Sequence, residues 1–98
     1  MNLQHYRNEI DEIDTELTAL INKRAAIARS IGAIKASAGL PVTDHEREAD
    51  VLRRVVNANT GSIADESLAR IFTSILRESR QIQIELNAAV SNRAVVAE

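Results

Sequence analysis

The first 37 residues carry one long amphipathic pattern, and its length limits the folds open to this chain. Large apolar residues recur at steps of three, four or seven, which places them along one face of an α-helix: Ile10, Ile13, Leu17, Leu20, Ile27, Ile31 and Ile34. Proline is absent from this segment. We therefore predict one helix over about residues 3–37, which at ~1.5 Å per residue is about 50 Å long.

A helix of this length extends beyond any compact fold of its own chain. Ninety-eight residues form one small domain. A compact domain of this size has a radius of gyration of ~13 Å and is about 35 Å across. The apolar stripe continues past that boundary, so a second copy has to cover it. We predict an intertwined homodimer in which the long helices pack against each other.

Two breaks divide the rest of the chain. The first is Gly39 to Pro41, and the second is the segment 57–65, which contains the only other glycine outside the first helix. They leave two further helices, over about residues 44–58 and 63–92, and a tail at residues 93–98 that frays. Capping boxes are predicted at both starts, from Thr43 with Glu46 and from Ser62 with Asp65. The fold class is thus all-α, with three helices in a single domain over residues 1–98.

Composition narrows the range of partners. The 12 basic and 14 acidic residues give a net charge of −2 and are interspersed, unlike the basic stripe of a nucleic-acid-binding protein. Without cysteine the chain has no disulfide or thiol chemistry. It contains no apolar run of membrane-spanning length and no apolar core in its first residues. We expect a cytoplasmic protein that binds neither membranes nor nucleic acid.

Arg24 occupies a position of the apolar stripe, between Leu20 and Ile27. A guanidinium group keeps its charge, and leaving it unpaired in a dry interior costs several kcal/mol. Two explanations are open: a carboxylate of the protein neutralises Arg24, or an anionic ligand does. Lys35 points within about 20° of the same direction, ~16 Å further along the helix. It either complements the dipole at the end of the helix or shares a small anion with Arg24.

Other polar residues stand where they would face these cations. Ser79 and Gln83 interrupt the apolar stripe of the third helix and lie one turn apart on one face. Asp44, Arg47 and Glu48 cluster in the first turn of the second helix. Ordinary structural explanations remain open for them as well. The serine can bond to its own backbone, the aspartate can be a cap, and the two charged residues after it can be a solvated face.

Arg7 lies 17 residues before Arg24, about 25 Å along a straight helix, so the two cannot hold one small ligand within a chain. In an antiparallel dimer, the partner's Arg7 would reach the site. Several cations from different helices, with few acids beside them, predict a pocket for a multiply anionic small molecule. The sequence offers no nucleophile with an adjacent base, no metal-ligand set and no phosphate loop. We therefore expect no cofactor and no metal, and chemistry by positioning and electrostatics.

At these residues the chain resembles the all-helical chorismate mutases of the bacterial AroQ class. The resemblance extends from Leu3 to about Leu86. Eight polar residues at the family's spacing carry it, which is more specific than one short motif. They lie in Tyr-Arg-Asn-Glu-Ile-Asp (Arg7), Asn-Lys-Arg-Ala-Ala (Arg24), Ile-Gly-Ala-Ile-Lys (Lys35), Thr-Asp-His-Glu-Arg-Glu (Asp44, Arg47, Glu48) and Glu-Ser-Arg-Gln-Ile-Gln (Ser79, Gln83).

The resemblance implies an interlocked homodimer with two equivalent sites that rearrange chorismate to prephenate. The substrate's two carboxylates would bind the cations of this site. Arg24 and the partner's Arg7 would hold these carboxylates, aided by Arg47 and Ser79. No cofactor or covalent intermediate is implied.

The remaining residues would act at the ether oxygen and at the ring. By resemblance, Lys35 would contact a carboxylate and the ether oxygen, and Gln83 would donate to the same oxygen. Glu48, with the backbone near Asp44, would hold the ring hydroxyl. Isochorismate-pyruvate lyase and 4-amino-4-deoxychorismate mutase are alternatives on the same fold, although the lyases lack an acid at the position of Glu48. A helical dimerisation or regulatory module is the non-enzymatic alternative.

Overall fold

The computed structural model describes the backbone of residues 2–97 and the side chains of residues 2–90. Three helices make up the secondary structure of this part of the chain. They are α1 (Leu3–Ala38), α2 (His45–Asn57) and α3 (Asp65–Ala97). The all-α fold class predicted from the sequence is confirmed.

The end of α3 differs from the predicted boundary. The helix continues to Ala97, past the end expected near Asn92. Fraying was predicted for residues 93–98, whose side chains lie outside the described residues. None of the helices in the described ranges contains a stretch long and apolar enough to cross a bilayer. The cytoplasmic location stays a prediction.

α1 is a single helix of 36 residues with a cap at each end. The side chain of Asn2 accepts a hydrogen bond from the backbone N–H of His5 at 3.0 Å. Gly39 has a φ of 68°, a left-handed conformation that glycine adopts without a steric penalty. The N–H of Leu40 then donates to the carbonyl of Lys35 at 2.9 Å. Lys35 therefore lies in the last turn of α1, next to the loop that leads to α2.

The cap of α2 is Asp44, and the capping box predicted from Thr43 is wrong. The Asp44 carboxylate accepts a hydrogen bond from the backbone N–H of Arg47 at 3.0 Å. Because the helix begins at His45, Thr43 stands one residue too early to cap it. The ordinary explanation of Asp44 as a cap is therefore correct.

The start of α3 also differs from the prediction. The side-chain amide of Asn59 donates to the carbonyl of Ile63 at 2.9 Å and to the carboxylate of Asp65 at 2.7 Å. These two bonds close the turn before the helix begins at Asp65. Because α3 begins at Asp65, Ser62 stands two residues before the position that would cap it, and the capping box predicted from Ser62 is wrong.

α3 packs against both other helices, and the core that results is small. Ala28 of α1, Val51 of α2 and Leu76 of α3 are the buried apolar side chains among residues 2–90. α1 and α3 approach closely at Gly32, where a Cβ atom would lie 2.9 Å from Cγ of Gln83. Gln83 is itself buried. At this close approach the side chain that packs against α1 is therefore the polar Gln83 rather than an apolar residue.

The apolar stripe of α1 lies outside this core. On the single chain the large apolar side chains of α1 are 44% to 67% exposed. The chain measures 65 × 27 × 15 Å, and its radius of gyration is 17.6 Å, against ~13 Å for a compact domain of this size. One extended apolar surface therefore runs along α1, and α2 and α3 leave most of it exposed.

Candidate functional site

One cavity of about 270 Å³ is lined by all three helices, just below the usual range of ligand pockets, ~300–1,000 Å³. Its lining includes four basic and two acidic residues. Seven of the eight site residues predicted from the sequence belong to it. The lining residues are Arg24, Ile27, Ala28, Ile31 and Lys35 of α1, Val42 and Asp44 before α2, Arg47, Glu48 and Val51 of α2, and Leu76, Ser79, Arg80 and Gln83 of α3.

Arg24 has a neutral partner across the cavity. Its Nη1 donates a hydrogen bond to Oγ of Ser79 at 2.7 Å. The Ser79 hydroxyl in turn donates to the carbonyl of Ile75 at 3.0 Å, so Ser79 both bonds to its own helix and faces Arg24. No carboxylate of residues 2–90 lies within ion-pair distance of Arg24. Of the two explanations open from the sequence, neutralisation by a carboxylate within residues 2–90 of the same chain is therefore ruled out.

Lys35 is the second cation that meets only neutral groups. Its Nζ donates to the carbonyl of Val42 at 2.8 Å and to Oε1 of Gln83 at 3.2 Å. Nε2 of Gln83 donates to the carbonyl of Ala28 at 3.1 Å. The amide of Gln83 is thus held at both ends, and one of its two N–H groups is not used by these bonds. Among residues 2–90, no carboxylate forms an ion pair with Lys35.

Glu48 faces the cavity from α2 and is paired across it. Its Oε1 accepts a hydrogen bond from Nη1 of Arg80 at 2.5 Å. Both side chains are half-buried, with 22% and 31% of their surface exposed. A carboxylate in such surroundings needs a partner, because burying an unpaired charge is costly. The sequence did not predict Arg80, which supplies that partner.

Arg47 lies at the rim, and its guanidinium is engaged outside the cavity. Nη1 of Arg47 donates to Asp50 at 2.8 Å, and the same carboxylate contacts Arg54 at 3.2 Å and Arg53 at 3.4 Å. Partial desolvation acts to raise the pKa of Asp50, but the three guanidinium groups, led by that of Arg54, outweigh it and hold the pKa below its ordinary value. Asp50 therefore stays ionised and competes with any ligand for Arg47.

Two residues that the sequence pattern did not single out had a signal in their spacing. Arg80 stands four residues after Leu76 and three before Gln83, so it shares the buried face of α3 with both. Gly32 stands one turn after Ala28 and three residues before Lys35, on the face of α1 that meets α3. The role of each residue depends on its contact with another helix. The amphipathic pattern of one helix does not show which residues of another helix lie opposite.

Arg7 is the predicted site residue that the single chain leaves away from the cavity. It lies near the start of α1, which is continuous from Leu3 to Ala38. Arg7 is therefore about 25 Å from Arg24 along the helix axis, and it does not line the cavity. Any contribution from this residue has to come from a second chain.

These contacts define a small pocket in an all-helical fold, with two cations that no protein carboxylate of residues 2–90 neutralises. The chorismate mutase type II family model matches residues 6–84. This chain belongs to the type II chorismate mutase family.

Sequence relatives agree with that assignment. The chain is 40% identical over 84 residues to a bifunctional chorismate mutase/prephenate dehydratase of Neisseria gonorrhoeae, covering 86% of this chain and 23% of that protein. It is 28% identical over 92 residues to a chorismate mutase of Methanocaldococcus jannaschii, covering 93% of each. The chain thus spans about a quarter of the length of the bifunctional relatives and nearly the whole of the archaeal one.

Solved structures extend the similarity to the fold. A chorismate mutase of Thermus thermophilus superposes with a TM-score of 0.81 at 28% identity, covering 83% of this chain and 92% of that one. A chorismate mutase of Helicobacter pylori, solved in complex with prephenate, gives a TM-score of 0.78 at 32% identity, covering 86% and 91%.

Proposed function

We propose that this chain catalyses the rearrangement of chorismate to prephenate, in a site completed by a second copy of the chain. One observation carries the proposal: Arg24 and Lys35 line one small cavity, and both contact only neutral groups of residues 2–90. Two unneutralised cations in one small cavity favour an anionic ligand, and chorismate carries two carboxylates. Membership of the chorismate mutase family and the prephenate complex of the Helicobacter pylori relative support this substrate.

The reaction needs no group that attacks or transfers a proton. One C–O bond breaks as one C–C bond forms within a single molecule, so the protein has to select a conformation and stabilise charge. Arg24 and the partner's Arg7 hold the two carboxylates and thereby favour the folded conformer in which the reacting carbons are close. A millionfold acceleration requires about 8 kcal/mol of differential stabilisation.

Part of that stabilisation falls to two donors at the ether oxygen. Negative charge develops on this oxygen as the C–O bond stretches, and prearranged donors stabilise it without having to reorganise. Lys35 supplies a charged N–H group. Gln83, whose amide is already fixed by Lys35 and Ala28, supplies the N–H group that those bonds leave free. Glu48 accepts a hydrogen bond from the ring hydroxyl with its second oxygen.

The homodimer is part of this proposal. Apart from Arg24, the stripe of α1 is apolar, and the 65 Å chain is too extended for its own core to cover it. A second copy supplies a complementary stripe, and it brings the partner's Arg7 toward the cavity. Sedimentation equilibrium at micromolar concentration should give about twice the chain mass of 10.8 kDa. A folded monomer at that concentration would contradict the shared site.

The substrate is identified by an assay with three compounds. The purified chain is given chorismate, isochorismate or 4-amino-4-deoxychorismate, and the products are separated and identified. Prephenate formed from chorismate at an enzymatic rate supports the proposal. Pyruvate from isochorismate as the dominant product would instead identify an isochorismate-pyruvate lyase. Preferred turnover of the amino compound would identify a 4-amino-4-deoxychorismate mutase. If none of the three compounds is converted, the chain is a helical dimerisation or regulatory module.

Gly32→Ala is expected to lower kcat for chorismate between about tenfold and a hundredfold, because displacing a catalytic group by 1 Å has effects of that order. The new Cβ atom would lie 2.9 Å from Cγ of Gln83 and 3.4 Å from its Cα atom, so the amide has to move. The free energy of unfolding should change by no more than about 2 kcal/mol, because overpacking opposes the higher helix propensity of alanine.

The matched control is Gly61→Ala, where a Cβ atom meets nothing within 4 Å. Steady-state kinetics and urea unfolding of both variants check the expectation. Unchanged kcat in Gly32→Ala would mean that the position of Gln83 does not limit the reaction.

A further inference from the structure

The ion pair between Glu48 and Arg80 stands apart from the other ion pairs of residues 2–90. The others join residues three or four apart within one helix, whereas this one connects α2 to α3. It is also the least exposed, at 22% for Glu48 and 31% for Arg80. An ion pair of this kind fixes side chains more firmly than an exposed one, because water competes less for its groups.

Both members of the pair line the cavity, and packing below them fixes their positions. Val51 follows Glu48 by three residues and Leu76 precedes Arg80 by four, so each charged residue stands on the same helix face as a buried apolar side chain. Both charged residues therefore lie beside the contact between α2 and α3. The guanidinium of Arg80 binds one oxygen of Glu48, and no hydrogen bond from residues 2–90 reaches the other oxygen.

We propose that Arg80 is a positioning residue, which holds the carboxylate of Glu48 so that its free oxygen accepts the substrate's ring hydroxyl. This inference rests on the proposed mutase function. Without Arg80, the carboxylate of Glu48 would lie unpaired in one cavity with Arg24 and Lys35, neither of which forms an ion pair among residues 2–90. It would compete with the substrate for those cations. Arg80 keeps the acid at the ring and the cations free for the substrate's carboxylates.

The pair also determines which group the site accepts at that ring position. A hydroxyl is neutral, whereas an aliphatic amine carries a positive charge at pH 7. The charge of Glu48 is already compensated by Arg80, and an ammonium group bound to the free oxygen would lie close to the guanidinium. Like charges at that separation repel in a partly buried site. Arg80 therefore favours chorismate over its 4-amino analogue.

A double-mutant cycle tests the inference, with Arg80→Gln, Glu48→Gln and the double variant assayed on both substrates. Arg80→Gln should raise KM for chorismate about tenfold and leave kcat within about threefold, because the ring hydroxyl is bound alike in the ground and transition states. In the Glu48→Gln background the same change should alter KM by less than about twofold. The ratio of kcat/KM for chorismate to that for the amino compound should fall about tenfold in Arg80→Gln.

Arg77→Gln is the matched control, since Arg77 is an exposed arginine of α3 outside the cavity lining; its kinetics should equal those of the unmodified chain. Circular dichroism checks folding, and Arg80→Met, which keeps a long side chain without the charge, replaces Arg80→Gln in the cycle if the latter does not fold. An effect of Arg80→Gln that persists in the Glu48→Gln background would overturn the inference, as would unchanged kinetics. Inactivity of the unmodified chain on chorismate would overturn the proposed function and the inference together. An active unmodified chain with one of the two results above would overturn the inference alone.

Discussion

Arg24→Ala is expected to lower kcat/KM for chorismate by about a hundredfold to several thousandfold, since a charged, partly buried hydrogen bond to a substrate carboxylate contributes ~3–5 kcal/mol. Arg24 is half-buried and donates to Ser79 at 2.7 Å, and no carboxylate of residues 2–90 pairs with it. Its removal therefore takes away attraction for the ligand without leaving a protein anion unpaired. The folded state should survive the substitution.

Steady-state kinetics and a thermal unfolding curve check this expectation together. Arg29→Ala is the matched control, because Arg29 is an exposed arginine of the same helix that does not line the cavity. The control should retain the activity of the unmodified chain. If Arg24→Ala loses less than about tenfold in kcat/KM, or loses activity only because it no longer folds, Arg24 has a structural role.

Lys35→Ala is expected to lower kcat by about a hundredfold to a thousandfold, the range measured when one donor to a developing negative charge is removed. The ether oxygen carries little charge in the substrate and gains it in the transition state. A donor to this oxygen therefore contributes mainly to kcat, and KM should change less. Lys35 also holds Oε1 of Gln83 at 3.2 Å, so its loss frees the second donor as well.

The chain contains one other lysine, Lys23, which is exposed and lies outside the cavity lining. Lys23→Ala should have unchanged kinetics. An increase in KM for Lys35→Ala at constant kcat would mean that Lys35 binds substrate and transition state equally. In that case Gln83, rather than Lys35, would stabilise the negative charge on the ether oxygen.

The helices and most of the polar residues that line the cavity could be predicted, because both rest on periodic features of single segments. The spacing of isoleucine and leucine predicted the long first helix. Arg24 and Lys35 stood out because each is a charge on, or aligned with, that apolar stripe. Ser79 and Gln83 stood out for the same reason on the third helix. A polar or charged residue at an apolar position of a helix is therefore informative from the sequence alone.

The features that were missed depend on contacts between helices. Arg80 lies on the same helix face as Leu76, but its partner Glu48 is 32 residues away, and pairing of that kind needs the relative position of α2 and α3. Asp50 was overlooked because an acid among arginines on an exposed helix has no special spacing. Gly32 is explained only by the approach of Gln83. The capping box predicted for α2 was placed one residue too early, because Thr43 and Asp44 are both suitable N-cap residues.

The central claim is that each site takes Arg24 from one chain and Arg7 from the other. Arg7→Ala and Arg24→Ala variants, each nearly inactive alone, can be unfolded together and refolded as a mixture. Half of the dimers formed at random are mixed, and each mixed dimer has one intact and one doubly altered site, so about a quarter of the wild-type activity should return. A mixture as inactive as its components, or an Arg7→Ala variant with full activity, would contradict the shared site.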